Sequence, residues 1–255
     1  LQARINLTFK ITVANNMIFK QLKYAIFATS LISTSVFADL QKGINAANNG
    51  DFQTAISEFQ YLVDHDYAPG MYHLAELYSR GLGIAKNQQK AIELYQKAAA
   101  QDFPDAIFSL AVIYKEGEGV KVNLPKSLDL FTLAADKGMA AAQYNLGVMY
   151  TNGEGTRRNY HAAVKWYTKA ASQNYTLAQF NLALMYFEGL GVDKSIEMSY
   201  IWNTIAEYNG NKQASHSRKL DEKKLSPSQI ELSKEKADEM YYKIQEGKFI
   251  GNRRI

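Results

Sequence analysis

One phrase returns every 36 residues along this chain: Tyr78-Ser-Arg-Gly81-Leu-Gly83, Tyr114-Lys-Glu-Gly117-Glu-Gly119, Tyr150-Thr-Asn-Gly153-Glu-Gly155 and Tyr186-Phe-Glu-Gly189-Leu-Gly191. An unbroken period over four copies describes an array of one small supersecondary unit, stacked so that each copy buries its apolar face on the next. Such a scaffold works through surface residues that vary between copies, while the repeated residues do the packing.

Each copy reads as a helix, a tight turn and a second helix. Leu74 and Tyr78 share one helical face with small Ala75 beside them, and the later copies put Leu110/Ala111/Tyr114, Leu146/Gly147/Tyr150 and Leu182/Ala183/Tyr186 there. The second helix carries Ala91, Leu94, Tyr95 and Ala98 at i, i+3, i+4 and i+7, matched by Ser127, Leu130, Phe131, Ala134 and by Ala163, Trp166, Tyr167, Ala170. The fourth copy keeps Ser199, Trp202 and Ala206 but has Asn203 at the aromatic position, so weaker packing is expected there. Asn87, Asn123, Asn159 and Ser195 fall where an N-cap oxygen is needed. Asp102, Gly138, Asn174 and Gly210 fall where the second helices must end. The glycine pairs follow no strand and precede no Lys-Ser, so they read as turn residues and not as a phosphate cradle.

The pattern Leu-Gly/Ala-x-x-Tyr-x-x-Gly-x-Gly-Val, followed by Lys-Ala-x-x-Trp/Tyr-Tyr-x-Lys-Ala-Ala, resembles the Sel-one-like repeat, a relative of the tetratricopeptide repeat. The resemblance covers 69–211 as copies 69–103, 104–139, 140–175 and 176–211. It implies an all-α fold, a right-handed α-solenoid, and an adaptor role toward a protein or peptide partner. Residues 39–68 read as a degenerate tetratricopeptide-like helix pair in which Gly50-Asp51 replaces the longer turn. Residues 212–255 read as C-terminal capping helices with a basic tail, the last helix opened by Ser226-Pro227-Ser228-Gln229 and running to about Glu246. Ile230, Ala237, Met240, Tyr241 and Ile244 form its apolar side.

Met17 begins an export-signal pattern: Lys20 and Lys23, an uncharged segment from Tyr24 to Thr34, then Val36-Phe37-Ala38 as a cleavage site. Residues 1–16 then read as an upstream extension from a misassigned start, and Met17–Ala38 as a signal peptide. The apolar run is shorter than the ~20 residues of a membrane span. The net charge of +4 lies wholly in residues 1–38, through Arg4, Lys10, Lys20 and Lys23, so the remaining chain is formally neutral and no nucleic-acid partner is expected. With no cysteine there is neither a disulfide nor a lipid-attachment site. The expected product is a monomer in the periplasm or secreted, with no integral membrane segment.

Chemistry is sparse. His65, His73, His161 and His216 fall in different units without a His-Glu-x-x-His, which points to no metal and no cofactor. Glu118 and Glu154 recur on turns where the other copies have Leu82 and Leu190, so they read as solvated turn residues and not as an acid/base pair. Cysteine-rich bacterial relatives described as β-lactamases raise an alternative hydrolase reading, and Ser233-Lys-Glu-Lys236 supplies a Ser-x-x-Lys. Neither Ser-Asp-Asn nor Lys-Thr-Gly occurs, and the cysteines of those relatives are missing, so no catalytic residue is expected.

By analogy with tetratricopeptide arrays, the first helices line the concave surface. Its rows are Tyr72/Phe108/Tyr144/Phe180 and Glu76/Val112/Val148/Leu184, joined by Lys115 and Phe187 at the helix ends. The first row also has a simple packing explanation, since it is aromatic throughout. The face becomes more apolar toward the fourth copy, where Leu184 and Phe187 are the expected anchors.

Overall fold

The computed structural model describes residues 38–249, all of whose regular structure is helical. The proposed leader up to Phe37 and the end of the basic tail lie outside these residues. Two compact units divide the chain, one through Ala98 and one from Ala99.

The first unit holds α1 (38–48), α2 (Phe52–Asp64), α3 (Ala68–Arg80) and α4 (Gln88–Ala100), the last of which reaches the boundary. Asp51 caps α2 by accepting from the Thr54 N–H at 3.1 Å. Gly50 before it has φ +79°, a left-handed conformation that glycine adopts without strain. Ala55, Phe59 and Leu62 on α2, Leu74, Ala75 and Tyr78 on α3, and Ala91, Tyr95 and Ala98 on α4 are buried, and α2 packs on α3.

The second unit holds α5 (Pro104–Glu116), α6 (Leu124–Asp136), α7 (Ala140–Asn152), α8 (Tyr160–Ser172), α9 (Thr176–Glu188), α10 (Ile196–Tyr208), α11 (Lys212–Glu222) and α12 (Pro227–Gln245). Each helix from α5 to α10 packs on the next, and α12 lies on α10. Pairing and helix content together make an all-α repeat solenoid. The helices begin on a strict grid, α3, α5, α7, α9 and α11 each 36 residues after the last.

The same turn chemistry sets every copy. The predicted N-cap side chains accept from the third helical N–H at 3.0–3.1 Å. Their own backbone N–H groups donate to the carbonyls of Tyr78, Tyr114, Tyr150 and Tyr186 at 2.8–2.9 Å. One residue therefore ties both helices of a copy together. Both glycines of each pair have φ between +68° and +77°, and Asp102, Gly138, Asn174 and Gly210 are left-handed as expected.

α12 carries a complete capping box at Ser226 and Gln229. Ala237 and Ile244 are buried, and Met240, Tyr241 and Phe249 pack with them over Ile201, Trp202 and Ile205. Ser233 is buried on the same side, only 3% exposed.

Candidate functional site

Three of the four aromatic-row residues are packing residues. In the first unit the Tyr72 ring lies 5.8 Å from Tyr95, and Glu76 pairs with His73 Nδ1 at 3.2 Å. In the second unit Phe108 meets Phe131 at 5.5 Å and Tyr144 meets Tyr167 at 6.0 Å, with Tyr175 a further 5.1 Å contact. These distances suit edge or offset aromatic pairs. Burial pushes the Tyr167 phenol up from its ordinary value despite its contact with Thr151.

The fourth copy differs because Asn203 stands where Tyr95, Phe131 and Tyr167 stand, and brings no ring to Phe180. The expectation of weaker packing there is half corrected. Asn203 is 2% exposed, and its Nδ2 donates to Asp221 Oδ2 at 2.9 Å. Ser199 Oγ donates to the same oxygen at 2.9 Å, so a buried polar knot fixes α11 on α10. Ser215 and Arg218 of α11 add bonds to Glu207 of α10 at 2.7 and 2.5 Å. Phe180, without a ring partner, instead forms one wall of an open pocket of about 450 Å³ with Lys212, Gln213, His216 and Ser217 of α11.

The second row also changes along the unit. Val112 and Val148 are half-buried against the core, whereas Leu184 is 49% exposed. Lys115 faces Glu116 at 3.5 Å and Glu154 at 3.9 Å across the neighbouring turn. Phe187 is half-buried, with Lys224 Nζ 4.0 Å and Lys194 Nζ 5.7 Å from its ring centre. It is a covered anchor, not an open one.

On α9, Leu177, Phe180, Leu184 and Phe187 follow at i, i+3, i+7 and i+10, which places them on one helical face. Leu177 is 47% exposed and is not legible in the sequence as a site residue, because its counterparts in the other copies, Pro69, Asp105 and Ala141, form no large apolar row. α11 was also missed as a continuation of the array. Arg218, Lys219 and Glu222 replace the Leu, Ala/Gly and Tyr of the repeat phrase, hiding the register. The 36-residue grid itself carries the signal: His216 follows Phe180 and Leu220 follows Leu184.

Ser233 is buried while Lys236 is exposed, and an attacking hydroxyl needs access to substrate as well as a neighbouring base. Among the described residues no group of three or more His, Asp or Glu is placed to hold a metal, and no helix is long and apolar enough to cross a membrane.

Stacked helix pairs with a repeated packing side and a varied outer side define a helical-repeat scaffold. The Sel1 repeat model matches residues 68–103, 104–139, 140–175 and 176–211, and the chain belongs to the Sel1 repeat family, whose members are typically protein-interaction scaffolds and generally non-catalytic. Among solved structures it is similar to a protective antigen present in uropathogenic Escherichia coli strains that displays this repeat fold, at 29% identity and a TM-score of 0.71 over 86% of this chain and 50% of that one. The chain thus spans about half the length of that antigen. It is also similar to a Sel1 repeat protein from Oxalobacter formigenes, at 25% identity and a TM-score of 0.68, covering 82% of this chain and 86% of that one. No curated protein sequence matches it.

Proposed function

We propose that the chain is an exported, non-catalytic adaptor that holds a protein or peptide partner on the concave face of its first helices, chiefly at α9. The observation that carries the reading is the α9 stripe. Repeat packing has no use for Leu177 and Leu184 at 47% and 49% exposure in line with Phe180 and Phe187, whereas a peptide or helix laid in a groove does. The binding energy of such a face concentrates in a few apolar anchors. The Met17–Ala38 leader pattern and the likeness to a protective antigen support a role in the periplasm or outside the cell, in envelope regulation or contact with a host.

One experiment tests both parts: crosslinking in intact native cells, affinity purification, and N-terminal sequencing of the recovered protein. The wild type should begin at Asp39 or a neighbour and bring down a defined partner. Leu177→Asp/Leu184→Asp changes only exposed side chains, so it should keep its circular dichroism spectrum and lose that partner. Recovery of the same partner by the folded double variant would overturn the assignment of the face, and an uncleaved cytoplasmic protein would overturn export.

A further inference from the structure

We propose that the face shared by α9 and α11 takes an acidic amphipathic helix of about three turns, with apolar side chains on Phe180, Leu184 and Phe187 and carboxylates on Lys212 and Lys224. The proposal rests on the concave-face reading above and adds the chemistry of the partner. The first observation is the pocket beside Phe180. Because Asn203 supplies no ring, this copy has an open aromatic wall where the copies at Phe108 and Tyr144 have a closed ring pair. The pocket admits an apolar side chain, and its α11 wall of Lys212, Gln213, His216 and Ser217 contains hydrogen-bond donors and no carboxylate.

Charge supplies the second observation. Cations stand at both ends of the apolar stripe, Lys212 beside Phe180 and Lys224 over the Phe187 ring. The acids of α11 are spoken for: Asp221 is buried under Ser199 and Asn203, and Glu222 pairs with Arg218. Glu188, the one acid of α9, is exposed beside Phe187, where Lys224 and Lys194 outnumber it. With Lys212 at the other end a partner meets net positive charge around an apolar strip, and acidic residues flanking apolar ones complement it. α11 rises about 15 Å from Lys212 to Glu222 at 1.5 Å per helical residue, with Lys224 two residues past its end, which matches a helix of about three turns. A single terminal carboxylate would satisfy only one end. Lys224 lies over Phe187 as a surface cation on a ring, a hold that an incoming carboxylate can outcompete while uncovering the ring beneath.

The test is selection of a displayed library of random 16-residue peptides against the purified protein, with counter-selection against Leu184→Asp. Enriched sequences should carry apolar residues at i, i+3 or i+4 and i+7 with Asp or Glu between them. Replacing the acids of the strongest binder by Lys should weaken binding by about tenfold, the scale of two surface ion pairs. Lys212→Glu/Lys224→Glu should reverse that preference, a readout that a merely structural role for these exposed lysines would leave unmoved. Enrichment of neutral or basic peptides, no enrichment, or an unchanged preference in the charge-reversed protein would each overturn the proposal. The native-cell crosslinking is independent of these outcomes: loss of the natural partner by Leu177→Asp/Leu184→Asp keeps the concave face even if the acidic-helix chemistry fails.

Discussion

Asp221 is 1% exposed and accepts from both Ser199 and Asn203, yet burial raises its carboxyl above the ordinary 3.8 more than those bonds and nearby Lys224 lower it. A carboxyl with its folded pKa above the unfolded value binds its proton more tightly when folded. Its stabilising contribution is therefore full below the unfolded value and is lost as pH rises through the folded one. Asn203 Oδ1 is buried and no protein donor reaches it. Asp221→Asn keeps an acceptor for the two donors, removes the buried charge and adds a donor to a knot in which an acceptor is unsatisfied. Stability at pH 7 should rise by about 1 kcal/mol, the scale of one satisfied buried group. Urea denaturation between pH 4 and 8 should show the gap between variant and wild type widening toward neutral pH. A variant less stable at pH 7, or a gap independent of pH, would show that the charge itself holds α11 in place. The sequence displayed Asn203 as a departure from the repeat but not its partner, because Asp221 is 18 residues away in a segment whose register was hidden.

At the level of elements, the two glycines of each turn do different work. Gly153 is left-handed at φ +77°, and a Cβ there would meet nothing nearer than the Arg158 backbone N at 3.2 Å. Gly155, at φ +71°, would put its Cβ 2.5 Å from the Leu124 carbonyl oxygen, and Gly191 would meet the Tyr160 carbonyl at 2.4 Å. Leu124 and Tyr160 open the second helices of the preceding copies, so the second glycine is where one copy's turn seats on its neighbour's backbone. Gly155→Ala should lose about 1–2 kcal/mol to the left-handed backbone and a further 1–3 kcal/mol to the backbone shift, because a carbonyl cannot rotate aside as a side chain can. Gly138→Ala, at φ +93° with nothing within 4 Å, should show the first loss alone. Equal losses in the two variants, measured by chemical denaturation, would remove the close approach from the explanation. Caps and left-handed positions were legible in the sequence, since local backbone sterics choose those residue types. The close approach was not, because it depends on a backbone one copy away.

Across the whole molecule, the period made the fold readable: regular packing residues report the element and its spacing, and every helix from α3 to α10 falls where the repeat places it. The face was less readable, since Tyr72, Phe108 and Tyr144 each meet a ring of a second helix, and the difference at Phe180 comes from one residue on another helix. A stack of this kind also needs its end covered, as each copy buries its neighbour and the last has none. α12 supplies that cover through Ala237 and Ile244, with Met240, Tyr241 and Phe249 beside them, over Ile201, Trp202 and Ile205 of α10. Ending the chain after Leu225 would bare those three residues, now 0–2% exposed, as an apolar strip. Because coupling in a repeat array passes between neighbours, the loss should be graded along the second unit. Amide hydrogen exchange of the truncated chain should quicken most in α9 to α11, less in α7 and α8, and least in α5 and α6. The melting temperature should fall and association should rise with protein concentration. Uniform quickening from α5 to α11 would mean that the second unit unfolds as one cooperative block, and an unchanged melting temperature with a monomeric truncated chain would mean that α12 is not a cap.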